Sequence, residues 1–204
     1  GIKRLARVVN VESRQLELIE ELADNVELPV QVTIASGFPK GDKLEFITQK
    51  VTELGASQIW AFPADWSVAK WDGKKLGKKA EKLEKIALGA AEQSKRNLVP
   101  NITLFEKKAD FLAQFDQFDR IVVAYEESAK EGESAALIQA ITSLEKGAKL
   151  LFIFGPEGGL SPAEIESFTA KGAVLAGLGP RILRAETAPL YALSAISVLL
   201  ELEK

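Results

Sequence analysis

Leu150-Leu151-Phe152-Ile153-Phe154-Gly155-Pro156-Glu157-Gly158-Gly159-Leu160-Ser161-Pro162-Ala163-Glu164 joins an unbroken apolar run to a glycine-bearing turn and the start of a helix. Apolar residues without alternation mark a strand buried on both faces. Gly155, Gly158 and Gly159 allow positive φ and a close approach of the backbone to a ligand, and Pro156 stiffens the turn. Ser161, Pro162 and Glu164 then resemble the N-cap, first residue and third-position carboxylate of a capping box. Strand, turn and helix in that order are the building unit of a parallel α/β sheet, whose ligands lie off the carboxyl ends of the strands.

A second copy of the pattern follows. Ala173-Val174-Leu175-Ala176-Gly177-Leu178 reads as a strand, and Gly179-Pro180-Arg181-Ile182-Leu183-Arg184 as the loop after it. Working outward, strands are expected near 31–35, 58–62, 102–105, 120–124, 149–154 and 173–178. Helices are expected near 40–54, 76–95, 109–115, 134–143, 162–170 and 185–203. This alternation predicts an α/β fold with a mostly parallel sheet covered on both faces. Residues 1–29 differ: their apolar residues alternate loosely with charges, as in the antiparallel strands of a small β module. The last helix carries Leu190, Leu193, Ile196, Val198, Leu199 and Leu200, which suits a deep core position or a dimer interface.

At 204 residues and 47% hydrophobic composition the chain can hold one large domain, or a main domain with an appendage. It has no cysteine and no histidine, which excludes disulfides, thiol nucleophiles, imidazole catalysis and zinc centres built on those residues. No metal is expected. No apolar run reaches transmembrane length and no secretory signal is present, so the chain reads as soluble and cytoplasmic, without a membrane partner. Methionine is absent and Gly1 falls inside a strand pattern, so residues 1–29 are expected to be part of a larger module. The net charge is only −3, yet seven lysines fall between Lys70 and Lys85, while 126–133 holds four glutamates.

The glycine loop is neither a Walker loop, since no Gly-Lys-Ser/Thr follows, nor a dinucleotide fingerprint, since the G-x-G-x-x-G spacing fails. A tight turn without a ligand is equally compatible with it. In the second loop Arg181, Arg184 and Glu186 flank apolar Ile182 and Leu183. They form either a site or an ion-pair lock in which the arginines bridge Glu157 and Glu186.

Four segments together carry a resemblance. They are Phe154 to Gly159, Leu178 to Ala188, Lys50-Val51-Thr52-Glu53-Leu54-Gly55, and Ala90-Ala91-Glu92-Gln93-Ser94-Lys95-Arg96. In this order, across about residues 30–204, they resemble the RsmE family, the 16S ribosomal RNA uridine-N3 methyltransferases. The resemblance implies a SPOUT-type α/β domain at 30–204 with a C-terminal trefoil knot, working as a homodimer with S-adenosylmethionine. Residues 1–29 would then be the remnant of a PUA-like β-barrel whose usual opening segment is missing. Ala185 departs from the family pattern, where threonine is usual.

On that pattern the cofactor is held by Phe154, Gly155, Pro156, Glu157, Gly158, Gly159, Leu178, Gly179, Ile182, Leu183 and Arg184, with Ala124 and Tyr125 as a third wall. Transfer to uridine N3 needs the N3 proton removed and the resulting anion stabilised. Arg184 and Arg181 are candidates for the stabiliser, and Glu157 and Glu186 for the base or an orienting group. For 16S rRNA in the small ribosomal subunit, the expected contacts are Gln93, Lys95, Arg96, Lys78 and Lys79, with Trp66 and Trp71 available to stack on a base. The same fold also serves methyltransferases of transfer RNA or other rRNA nucleotides, and could persist in a non-catalytic RNA-binding or ribosome-assembly protein. The segment Leu183-Arg184-Ala185-Glu186-Thr187-Ala188 argues for the rRNA reading.

Overall fold

A computed structural model describes residues 2–23, 25–125 and 134–202. The acidic stretch 126–133 lies outside the described residues. Six strands form one parallel sheet: β3 (Gln31–Gly37), β4 (Gln58–Phe62), β5 (Asn101–Leu104), β6 (Arg120–Ala124), β7 (Lys149–Phe154) and β8 (Val174–Ala176). Their spatial order is β5-β4-β3-β7-β6-β8. From β3 the chain builds outward through β4 to β5. It then starts again beyond β7, so β3 and β7 are neighbours whose connections leave toward opposite edges. That crevice is the topological switch point, where open α/β sheets hold their ligands.

Helices cover both faces: α1 (Lys43–Glu53), α2 (Gly73–Gln93), α3 (Lys108–Leu112), α4 (Ser134–Thr142), α5 (Pro162–Ala170) and α6 (Ala188–Ser197), the last continued by a π-helical turn at Val198–Leu202. Strand β7 supplies both cores. Leu150, Phe152 and Phe154 pack with Ile34, Ile47, Val51, Ile141, Leu193 and Ile196 on one face. On the other face, Leu151 and Ile153 pack with Phe62, Phe111, Phe115 and Phe168. The period-2 alternation of strand side chains divides one apolar run between two layers, which is why the run shows no polar face.

The ends of several elements depart from expectation for local reasons. α2 begins at Gly73 rather than 76 because Asp72 caps it, its side chain accepting from the Lys75 amide at 2.8 Å. α6 begins at Ala188 rather than 185, as Pro189 sits in its first turn and 185–187 stay in the loop. The second strand shortens to Val174–Ala176. At α5 the capping box is complete.

Strands β1 (Lys3–Asn10) and β2 (Gln15–Leu22) form a separate antiparallel ribbon with irregular register. Its side chains are exposed rather than half-buried: Val8 is 58% and Leu16 63% exposed. The segment after it is fastened to the sheet domain by Glu27, whose carboxylate accepts from the Arg96 guanidinium and from the amides of Asn97 and Leu98 at 2.8 and 3.1 Å. No helix among the described residues is long and apolar enough to cross a membrane.

Candidate active site

The loops that follow β6, β7 and β8 enclose a cavity of about 740 Å³ at the carboxyl end of the sheet. Phe154 to Gly159 form one wall, Leu178, Gly179, Ile182, Leu183 and Arg184 a second, and Ala124 with Tyr125 a third. Each residue expected to hold the cofactor therefore lines a single cavity. Of the three loop glycines only Gly159 has positive φ, at 78°. Gly155 is required by packing instead, since a Cβ there would lie 2.8 Å from the Gly159 carbonyl carbon, and a Cβ on Gly158 would crowd Cβ of Trp66, a residue that also lines the cavity, at 3.1 Å.

Lys43, at the start of α1, reaches into the switch-point crevice. Its Nζ lies 2.9 Å from Glu157 of the first loop and 3.1 Å from Glu186 of the second. Glu157 also accepts from the Lys40 amide at 3.1 Å. Pairing with Glu157 and then Glu186 holds the Lys43 ammonium above its ordinary pKa of 10.5, against the opposing effect of partial burial. Burial alone would raise both carboxyls. For Glu157 the Lys43 ammonium and two backbone amides outweigh it, and for Glu186 its own amide and Lys43 do so, leaving both below their ordinary 4.5. Carboxylates held below that ordinary value are weak general bases near neutral pH. Lysine, not arginine, thus bridges the two loops: Arg184 and Arg181 line the cavity with exposed side chains, and neither is ion-paired to Glu157 or Glu186.

A second polar cluster fixes the first loop from behind. Glu164, 1% exposed, accepts from the Ser161 amide (2.9 Å), the Asp65 amide (2.9 Å) and Lys108 Nζ (3.1 Å). Ser161 Oγ donates to Asp65 at 2.6 Å, and Lys108 also pairs with Asp65. The Asp65 carboxyl is lowered first by Lys108 and then by Ser161, despite some burial. Every charge in the cluster is partnered, which is the condition for burying it.

Of the residues expected at the RNA, Gln93, Lys95 and Lys78 are exposed on α2 or just beyond it. Lys79 places Nζ 4.5 Å from the Trp71 ring centroid. Two expectations give way to packing. The Arg96 side chain is only 2% exposed, and its guanidinium donates to Glu27 and to the carbonyls of Thr52 (3.0 Å) and Ala56 (2.6 Å), so it faces inward. Trp71 is 9% exposed and packs on Phe38 with ring centroids 4.3 Å apart, so it offers no face for a base. Lys43, Leu160, Pro162 and Ala188 also line the cavity, although the sequence did not mark them as cofactor contacts. Among the described residues no cluster of carboxylates is placed to hold a metal.

Known proteins resemble this chain in sequence and in fold. A family model described as an RNA methyltransferase domain matches residues 26–197. The Ribosomal RNA small subunit methyltransferase E of Bacillus subtilis is 56% identical over 185 residues, covering 91% of this chain and 72% of that protein. The protein of that name from Mycobacterium bovis is 30% identical, covering 98% of this chain and 76% of its own length. Among solved structures, a Ribosomal RNA small subunit methyltransferase E from Neisseria gonorrhoeae bound to S-adenosyl methionine aligns with a TM-score of 0.76 at 26% identity, covering 98% of this chain and 79% of that one. With a matching family model over most of its length, and relatives of one name on the same fold, the chain belongs to the ribosomal RNA small subunit methyltransferase E family.

Proposed function

We propose that this chain transfers a methyl group from S-adenosylmethionine to N3 of a uridine in the 16S rRNA of the small ribosomal subunit. The observation that carries the reading is the convergence of both glycine loops on one cavity, whose volume of about 740 Å³ falls within the roughly 300–1,000 Å³ typical of small-molecule clefts. Its chemistry fits the cofactor. Apolar Phe154, Leu178 and Leu183 suit a purine ring, and the loop backbone supplies the donors and acceptors that read its edge.

When bound, S-adenosylmethionine supplies an electrophilic methyl group on a sulfonium and leaves as a neutral thioether. The chain's own task is to hold uridine N3 in line with that methyl and to stabilise the charge that spreads over the flanking carbonyl oxygens as the N3 proton departs. Arg184 is assigned that role, with Arg181 beside it, because both line the cavity and neither is ion-paired to Glu157 or Glu186. Glu157 and Glu186 are assigned to orientation rather than proton removal, since pairing with Lys43 lowers the basicity of both. For the RNA, Lys78, Lys79, Lys95 and Gln93 provide the phosphate-facing surface of α2, Arg96 being committed to Glu27.

The finer features of the family belong to the same proposal: a C-terminal trefoil knot, a homodimer that covers the apolar side of α6, a cytoplasmic location, and a PUA-like module to which residues 1–29 contribute. The exposed apolar side chains of β1 and β2 support the last of these, because a lone two-stranded ribbon is marginal in water. Arg184→Ala tests the central assignment. Its kcat on small-subunit RNA is expected to fall about a hundredfold, the size of effect typical for one lost charge-stabilising group. Affinity for S-adenosylhomocysteine by calorimetry should change far less. Equal losses of both would make Arg184 a cavity wall rather than a catalytic residue.

A further inference from the structure

Trp60 and Trp71 are buried, whereas Trp66 is 49% exposed and sits at the rim of the cavity. An exposed indole by itself means little. The backbone around this one, however, is fixed on both sides. The Asp65 amide donates to buried Glu164 at 2.9 Å, the Asp65 carboxylate is held by Lys108 and by Ser161 Oγ, and the Ser67 amide donates to the Ala64 carbonyl at 3.0 Å. Beneath it, Gly158 leaves out the Cβ that would crowd Trp66. A partnered buried carboxylate and a lysine thus fix the backbone beside Trp66, and a glycine makes room for it, while its side chain leaves half its surface in water. Core packing does not account for that arrangement; a preorganised aromatic surface does.

Charge points to what lies on that surface. The loop that bears Trp66 runs through Lys70 directly into α2, where Lys74, Lys75 and Lys78 are exposed. A strand of nucleic acid with its phosphates along α2 is thereby led toward the indole. Uridine N3 lies on the Watson–Crick edge, so the reacting base must be unpaired, and a base drawn out of its strand into the cavity gives up its stacking neighbours as well. We infer that Trp66 is the stacking platform for the target uracil, replacing the neighbour the base leaves behind. This rests on the methyltransferase reading above.

The test compares Trp66→Ala and Trp66→Phe with the unmodified chain, using small-subunit RNA as substrate and S-adenosylhomocysteine as cofactor probe. Trp66→Ala should lower kcat/KM for RNA about ten- to a hundredfold, the range for a lost stacking face, and Trp66→Phe should restore most of it. Parental thermal unfolding shows that both variants are folded, and their affinity for S-adenosylhomocysteine should change far less than the RNA kcat/KM of Trp66→Ala. Oligouridylate should quench tryptophan fluorescence in the parent and not in Trp66→Phe. Weaker S-adenosylhomocysteine binding with RNA kinetics preserved would overturn the proposal in favour of a cofactor lid. Unchanged RNA kinetics in Trp66→Ala would overturn it outright. A parent that methylates no RNA would instead refute the methyltransferase reading, and absence of Trp66-dependent quenching would refute the platform separately.

Discussion

Lys43 is the residue on which the two glycine loops depend. Its ammonium is the shared counter-charge for Glu157 and Glu186, which come from loops after different strands. Lys43→Met leaves two carboxylates facing each other across the crevice with no cation between them, a like-charge arrangement that raises a carboxyl pKa. We expect S-adenosylhomocysteine affinity to fall about tenfold at neutral pH, where ~1.4 kcal/mol makes that factor, and to recover in part as pH is lowered and one carboxyl takes a proton. In the parent the signs are fixed by the direction of each shift. The carboxyls lie below their ordinary 4.5, so their contribution is present above that value and is lost as pH falls through the depressed pKa. The ammonium lies above 10.5, so its contribution is present below that value and is lost as pH rises through the raised one. Calorimetry across pH checks this; a Lys43→Met variant with parental affinity at every pH would show that the bridge does not hold the loops. The glycines and arginines of the site were legible because turn chemistry and charge beside an apolar run are local signals. Lys43 was not, because its role depends on β3 lying next to β7, a long-range pairing that no local pattern carries.

At the scale of elements, the β7 strand, its glycine turn and α5 were readable as one unit, since an apolar run and a capping box each declare themselves within a few residues. Strand order was not readable, and it decides a further contact. Gly37 ends β3 against the first loop, where an added Cβ would meet Pro156 Cδ at 2.5 Å and the Pro156 amide nitrogen at 3.0 Å. Overpacking of this kind costs about 1–3 kcal/mol. Gly37→Ala is therefore expected to lower the melting temperature by roughly 5 °C, at about 2–4 °C per kcal/mol for a chain of this length, and to weaken S-adenosylhomocysteine binding because Pro156 must move. Gly77→Ala is the control: it lies in α2 with nothing within 4 Å of its Cβ position and should stabilise the helix by about 0.5–1 kcal/mol. Thermal unfolding of the two variants checks both signs. Arg96 shows the converse limit of sequence reading. It follows a lysine-rich helix and was expected at the RNA, yet it turns inward to Glu27, Thr52 and Ala56, a clamp whose partners lie 40 to 69 residues away in the chain.

Across the whole molecule, a parallel sheet carries the cavity at its carboxyl end, and Trp66, on the loop that enters the lysine-bearing α2, lines it. The exposed ribbon β1–β2 is attached through the Glu27 and Arg96 clamp at the opposite end of α1 from Lys43. The α/β class and the site loops were visible from the sequence. The ribbon's exposure was not, because periodicity reports which residues are apolar and not what covers them. One property of the whole molecule decides its function: whether the cavity delivers a methyl group to uridine N3 in small-subunit RNA. The direct measurement is mass mapping of modified nucleosides in small-subunit RNA, free or assembled, incubated with the protein and isotopically labelled S-adenosylmethionine. Methyl transfer as proposed predicts label in N3-methyluridine at one position, appearing about a hundredfold more slowly with Arg184→Ala; label on another nucleotide, or none on either form of the RNA, would contradict it.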